Sequence, residues 1–168
     1  MGTTQMPTDV QEPWVREELV IVPLQAATAN DAITQLGAKL QAAGCVKESW
    51  AQAAIDREKV FATGLPTEEI GVAIPHTDVE HVLKQAIAVG VLEEPVKFVE
   101  MGNPDSTVPV RIVCALAVAQ SELMVKLLQQ LVEVFQSPAV LRAITGAGNA
   151  AKIVEIFEQH LTINRGGN

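Results

Sequence analysis

The residues with the clearest chemical capacity stand at the end of a short apolar run, Gly71-Val72-Ala73-Ile74-Pro75-His76-Thr77-Asp78. Pro75 has no N–H with which to extend a sheet ladder, so the run reads as a buried strand that stops and presents the next side chain. That side chain is an imidazole, whose ordinary pKa of about 6.5 leaves a nitrogen lone pair free near pH 7. His76 is therefore a candidate nucleophile. A plainer reading stands beside it: His76 ends a strand and closes a turn with Thr77 and Asp78, and no Ser, Cys or metal partner is visible next to it. The second candidate is Arg57, which interrupts the helically spaced series Trp50, Ala53, Ala54 and Phe61. Such an Arg either snorkels from a helix edge to pair with Asp56 or Glu58, or aims a planar fork of donors at an anion.

Both candidates need elements to hold them. Leu19 to Leu24 is short and β-branched, and Pro23 places it at a sheet edge. Asn30 and Asp31 offer caps to a helix carrying Ile33, Leu36, Gly37 and Leu40, with Gly44 as its stop. A second helix over about Glu48 to Ala62 carries Arg57; Thr63-Gly64-Leu65-Pro66 ends it, and a strand from Ile70 to Ile74 leads to His76. Further strands are expected at Ala86 to Leu92 and, more briefly, Val96 to Val99, with a turn at Gly102 to Asp105. Val108 to Val118 is β-branched and apolar enough to cross the middle of the sheet. Three helices follow: from Ser121 with the stripe Met124, Leu127, Leu128, Leu131 and Phe135; from Ser137-Pro138 to about Ile144; and from about Asn149 with Ile153, Ile156, Phe157 and Leu161. Strands interspersed with helices predict a single α/β domain over residues 14–163, a small mixed sheet of about four or five strands flanked by helices. Residues 1–13 read as a flexible lead-in and 164–168 as a frayed tail.

Composition sets limits on the partners. The 168 residues are 48% apolar and 19% charged, ample for one core, and carry a net charge of −8. That balance argues against nucleic acid or an anionic bilayer as the main partner, because both call for a basic face. Two cysteines, Cys45 and Cys114, suggest no disulfide framework, and Cys114 lies in an apolar run that buries it. With three scattered histidines, no metal-ligand spacing emerges, and no glycine-rich nucleotide loop is present, so neither metal nor cofactor is expected. The start of the chain lacks the pattern of a signal peptide and no run approaches a membrane span, which makes the cytoplasm the default compartment, without direct membrane insertion.

Asp56-Arg57-Glu58-Lys59, Thr63-Gly64-Leu65 and Gly71-Val72-Ala73-Ile74-Pro75-His76, at this separation, resemble enzyme IIA of the bacterial sugar phosphotransferase system, fructose–mannitol superfamily. The likeness continues through Val113 to Ala117 and Lys126-Leu127-Leu128 and spans about Leu19 to Leu161. Trp50 to Ala54, and His81 five residues after His76, are most similar to the galactitol-type branch. The resemblance implies the mannitol/fructose-type enzyme IIA fold and a phosphotransferase. His76 would accept a phosphoryl group from the phosphohistidine of the phosphocarrier protein and pass it to a cysteine of enzyme IIB, and through it serve the membrane enzyme IIC in uptake of galactitol or a related sugar or polyol. Arg57 falls on the family's active-site Arg, and Met124 stands where several mannitol-type members carry a second histidine. An alternative within the resemblance is a regulatory module that binds a target according to its phosphorylation state.

The residues themselves suit that chemistry. Phosphoryl transfer asks a protein chiefly to position groups and to stabilise charge on three equatorial oxygens, and Arg57 offers a fork for two of them. Thr77, Thr63 and backbone N–H groups after Pro75 are candidates for the third. His81 either donates to the phosphate, directly or through a neighbouring residue, or is a surface residue beside Glu80, and His160 is expected to be structural or exposed. Leu65, Val79, Val82 and Met124 are the candidate apolar rim for the two protein partners, with Met124 alternatively a part of the core stripe.

Overall fold

The longest apolar run builds the middle of the sheet, as its composition predicts. In the computed structural model, which describes residues 12–165, that run lies in the strand Asn103–Ala117, flanked antiparallel by Ala86–Glu100 and parallel by Gly71–Ala73. In chain order the strands are β1 (Val20–Leu24), β2 (Gly64–Leu65), β3 (Gly71–Ala73), β4 (Ala86–Glu100) and β5 (Asn103–Ala117). The helices are α1 (Ala29–Ala42), α2 (Trp50–Val60), α3 (Ser121–Phe135), α4 (Pro138–Thr145) and α5 (Ala150–His160). The five strands form one mixed sheet in a single α/β domain. Within it β1 pairs parallel with β4 at an edge, and β2 bridges antiparallel to β3 and parallel to the end of β4.

Successive residues of a strand point to opposite faces. In β4 and β5 both sets are apolar. Ile87, Val89, Val91, Ile112, Cys114 and Leu116 join one core with Leu127, Leu131 and Phe135 of α3, Leu141 and Ile144 of α4, and Ile153 and Phe157 of α5. Ala88, Leu92, Val113, Ala115 and Ala117 join the other with Ile33, Leu36 and Leu40 of α1 and Trp50 and Ala54 of α2. A sheet covered on both faces requires a near-continuous apolar run, which is why these strands do not alternate in sequence. Burial pushes the Cys114 thiol up to about 12, so it is an apolar filler rather than a reactive group.

Several boundaries differ from the sequence reading. α1 is capped by Thr28, whose side chain accepts the Asp31 N–H at 3.1 Å, rather than by Asn30 or Asp31. Gly44 does follow its end with φ +76°. Val96 to Val99 is not a separate piece, because β4 runs on past the exposed Glu93, Glu94 and Pro95, absorbing them as a register shift between Val91 and Val96. The turn narrows to Met101–Gly102, with Gly102 at φ +77°, and Asn103 to Asp105 already belong to β5. β2 lies where the sequence predicts only the end of a helix. It is two residues long and carries no periodicity, and an added Cβ at Gly64 would come within 2.6 Å of the Val99 carbonyl oxygen, so the close approach of β2 to β4 needs glycine. α2 ends at Val60, which leaves Phe61 exposed rather than in the buried stripe. Of the expected lead-in, residues 1–11 lie outside the described residues, and the chain enters the core at Trp14 and Val15. Of the expected tail, 166–168 lie outside, and a 3-10 turn runs over Thr162–Arg165.

Candidate functional site

β3 leaves the sheet at Ala73, and the three residues that follow are pinned individually. The Ile74 N–H donates to Thr63 Oγ1 at 3.1 Å, and the Pro75 carbonyl accepts the Leu116 N–H at 2.9 Å. His76 then folds back so that Nδ1 lies 2.8 Å from the Ile74 carbonyl oxygen. A carbonyl only accepts, so Nδ1 carries the proton and Nε2 keeps the lone pair. His76 is half-buried, and burial is the main cause of a pKa below the ordinary 6.5. Its bond to the Ile74 carbonyl opposes that shift, the Arg57 charge adds to it, and Asp78 opposes it again. The ring is therefore neutral at pH 7, with its free lone pair placed on Nε2 by a backbone acceptor.

Arg57 comes to the same cleft from α2. Its Nη1 donates to Asp78 Oδ1 at 3.1 Å, and the guanidinium carbon lies 5.1 Å from the centre of the Phe61 ring. Neither Asp56 nor Glu58 is its partner, so the pairing expected of a snorkelling Arg is not formed among the described residues. Asp56 instead accepts from Gln52 at 2.9 Å, and Glu58 accepts from Thr63. Arg57 Nε is buried with no hydrogen-bond partner among the described residues. The guanidinium thus retains unused donor capacity, held over an aromatic face.

Two depressions meet at His76 and Arg57. One, of about 490 Å³, is walled by Thr77, Asp78, Val79, Glu80, Ser121, Met124 and Leu128. The other, of about 460 Å³, runs past Phe61, Val99, Met101, Pro104 and Leu128. Val60, Phe61, Val79, Val99 and Met101 are exposed apolar side chains, so the cleft mouth is unusually apolar for open surface.

The sequence candidates divide accordingly. His76, Arg57, Thr77, Val79 and Met124 share the first depression. Thr77 is 4% exposed and its hydroxyl donates to the Asp78 carbonyl at 2.8 Å, so in this state that hydroxyl braces the loop. Thr63 lines the second depression, yet its hydroxyl donates to Glu58 and accepts from Ile74, so it supports the strand end rather than offering a donor to an anion. His81 faces away. A bridge between Val46 and Val82, with the Leu83 N–H bonded to the Cys45 carbonyl, ties this segment to the loop before α2. There His81 Nδ1 meets Ser49 Oγ at 2.8 Å and Nε2 lies 3.6 Å from Glu80. The same bridge buries Val82 to 8% exposure, so Val82 belongs to the core and not to a rim. Leu65 lies in a separate groove of about 360 Å³ with Phe135 and Leu141, away from His76. Met124 is partly buried against the core while lining the cleft. His160 is exposed at the end of α5.

Phe61, Leu128, Val99 and Met101 had no place in the sequence reading of the site. Phe61 had a signal, since it stands four residues after Arg57 on one helical face. Val99 and Met101 had none, because they reach the cleft only through the β4–β5 hairpin.

The family profile described as "Phosphoenolpyruvate-dependent sugar phosphotransferase system, EIIA 2" matches residues 14–160. The chain is 32% identical over 115 residues to the galactitol-specific EIIA component of the phosphotransferase system of Escherichia coli (strain K12), covering 68% of this chain and 76% of that protein. Its fold is similar to that of IIA mannitol from Escherichia coli, with a TM-score of 0.69 and 26% identity over 84% of this chain and 97% of the other. It is also similar to the complex of enzyme IIAMTL and phosphorylated enzyme IIBMTL from Escherichia coli, with a TM-score of 0.71 and 25% identity over 86% and 97% of the two chains.

Proposed function

The chain belongs to the EIIA 2 family of the phosphoenolpyruvate-dependent sugar phosphotransferase system, and on that premise we propose that His76 is its phosphorylated residue, in a galactitol-type relay from the phosphocarrier protein to enzyme IIB. Members of the family are phosphotransferases that work through a phosphohistidine, and enzyme IIA domains pair with enzyme IIB. No helix among the described residues is long and apolar enough to cross a membrane.

The observation that carries the reading is the bond from His76 Nδ1–H to the Ile74 carbonyl. It leaves Nε2 as the attacking atom. The Nε2 lone pair forms a bond to phosphorus as the phosphorus–nitrogen bond of the donor phosphohistidine breaks, and that electron pair returns to the donor ring. The proton stays on Nδ1, donated in a hydrogen bond to the Ile74 carbonyl oxygen, throughout. Arg57 gives up Asp78 to hold phosphoryl oxygens, spreading their charge in the transition state. In the second half-reaction a cysteine thiolate of enzyme IIB attacks phosphorus and His76 leaves as a neutral imidazole. The 32% identity to a galactitol-specific component supports galactitol or a related polyol as the transported substrate.

The experiment is incubation with phosphoenolpyruvate, enzyme I and the phosphocarrier protein, followed by intact mass and by transfer to galactitol-type and mannitol-type enzymes IIB. One acid-labile phosphate is expected on the wild type and none on His76→Ala, with faster transfer to the galactitol-type partner. A His76→Ala protein that gains phosphate at the wild-type rate refutes the residue assignment.

A further inference from the structure

Arg57 and Glu58 are neighbours in sequence but bind different partners, Asp78 and Thr63. Glu58 turns toward Thr63: one carboxylate oxygen accepts the Thr63 N–H at 2.8 Å and the other accepts the Thr63 hydroxyl at 2.8 Å. An ionised carboxylate has no proton to give, so the Thr63 hydroxyl must spend its proton on Glu58 and turn a lone pair elsewhere. That lone pair takes the Ile74 N–H at 3.1 Å. Thr63 stands one residue before Gly64, which pairs with Ala73. Its side chain therefore supplies the next acceptor at the point where the β2 backbone ladder stops.

The consequence reaches the imidazole. With its N–H held by Thr63, and with the Pro75 carbonyl held by Leu116, Ile74 has little freedom to rotate its own carbonyl away from His76 Nδ1. We propose that Glu58 is a positioning residue for His76, acting through Thr63 and the backbone of Ile74 to keep the Nδ1–H tautomer and so to make Nε2 the nucleophile. Burial raises the Glu58 pKa, while the two Thr63 donors oppose that shift. A carboxylate kept half-buried has a structural cost, and the two hydrogen bonds it receives offset that cost only while Thr63 stays in place. The inference rests on the assignment of His76 as phosphoryl acceptor for its kinetic arm alone.

The test compares Glu58→Gln, Thr63→Val and Thr63→Ser with the wild type. Glu58→Gln keeps the shape but replaces one acceptor by an amide donor, and Thr63→Val removes the hydroxyl at nearly constant volume. The first readout is the ¹⁵N shifts of the His76 ring at pH 7.5, which separate the two neutral tautomers without any phosphoryl donor. The second is the rate of phosphate uptake from the phosphocarrier protein, with the melting temperature recorded for each protein.

The wild type should show the Nδ1–H form. Glu58→Gln and Thr63→Val should mix the tautomers and slow uptake about tenfold, the worth of one ordinary hydrogen bond. Thr63→Ser, which retains the hydroxyl, should recover most of the loss. A folded Thr63→Val protein whose ring keeps the Nδ1–H tautomer overturns the proposal, and this variant decides the matter if Glu58→Gln does not fold. Failure of the wild type to take up phosphate would overturn the transfer assignment instead, because the tautomer is read without a donor.

Discussion

Replacing Arg57 by Lys keeps the positive charge and removes the fork, so it isolates geometry from electrostatics. In the resting protein Arg57 loses little by the change. Its ion pair with Asp78 is open to water, with the Asp78 side chain 74% exposed, and such pairs contribute about 0–1 kcal/mol. The stack over Phe61 adds roughly 0.5–1 kcal/mol at an open site. The melting temperature should therefore move only slightly. If Arg57 holds two phosphoryl oxygens as proposed, the same change removes one of those charged hydrogen bonds in the transition state, a loss of about 1.5–3 kcal/mol. At 1.36 kcal/mol per factor of ten this is roughly a 13-fold to 160-fold fall in kcat/KM.

The assay is single-turnover transfer from phosphorylated phosphocarrier protein, quenched and read by intact mass. Phe61→Ala serves as the comparison, since it leaves the fork and removes only the face behind it. Its expected cost of about 0.5–1 kcal/mol corresponds to roughly a twofold to fivefold fall. An Arg57→Lys protein within twofold of the wild type would show that the guanidinium holds no phosphoryl oxygen. A rate no lower than that of Phe61→Ala would show that stacking, not the fork, is what Arg57 supplies.

Two further outcomes follow from the same geometry. Burial holds the His76 pKa below its ordinary 6.5, so uptake should be flat from pH 8 to pH 7 and fall as pH drops through the folded value; the stability this group contributes is complete above 6.5 and is lost over the same acid range. A titration of His76 by NMR with a midpoint at or above 6.5 would contradict this. Met124→Glu on the cleft wall should slow exchange with both protein partners at nearly unchanged melting temperature, whereas Val82→Glu buries an unpaired carboxylate and should cost about 3–5 kcal/mol of stability, measured by denaturant unfolding. Equal stability of the two variants would put Val82 back on the rim.

The parts of the fold legible in the sequence are those whose signal is local. Asn149 and Ser137 cap their helices where the pattern places them, and the Ala86 to Leu92 and Val108 to Val118 runs form paired strands because apolar residues on both faces demand cover on both faces. His76 and Arg57, which line the same cleft, stand out as candidates because a strand-ending proline and a break in an apolar stripe are visible within a few residues. The errors fall where long-range pairing decides. Whether Val82 and His81 face the cleft depends on a bridge to Val46, thirty-six positions earlier, and no property of Val79 to Val82 announces it. Leu65 points into the α3–α4 groove because two-residue β2 pairs with β3, a pairing too short to leave a periodic trace.

Thr63 is the most instructive case. As an isolated hydroxyl near the motif it reads as a phosphate donor, and what removes it from that role is Glu58, five residues earlier on α2. Adjacent residues on a helix are separated by about 100° around its axis, so two consecutive side chains serve two different surfaces. Arg57 takes the cleft side with Phe61 one turn below it, and Glu58 takes the side facing β2 and the end of β3. In the proposed transfer, the turn of helix that presents a cation to the incoming phosphoryl group also holds, through Glu58 and Thr63, the strand end that carries His76. A rotation of α2 large enough to withdraw Arg57 would also strain the Glu58–Thr63 bonds, so charge stabilisation and nucleophile geometry are coupled through one rigid element rather than set by two independent loops.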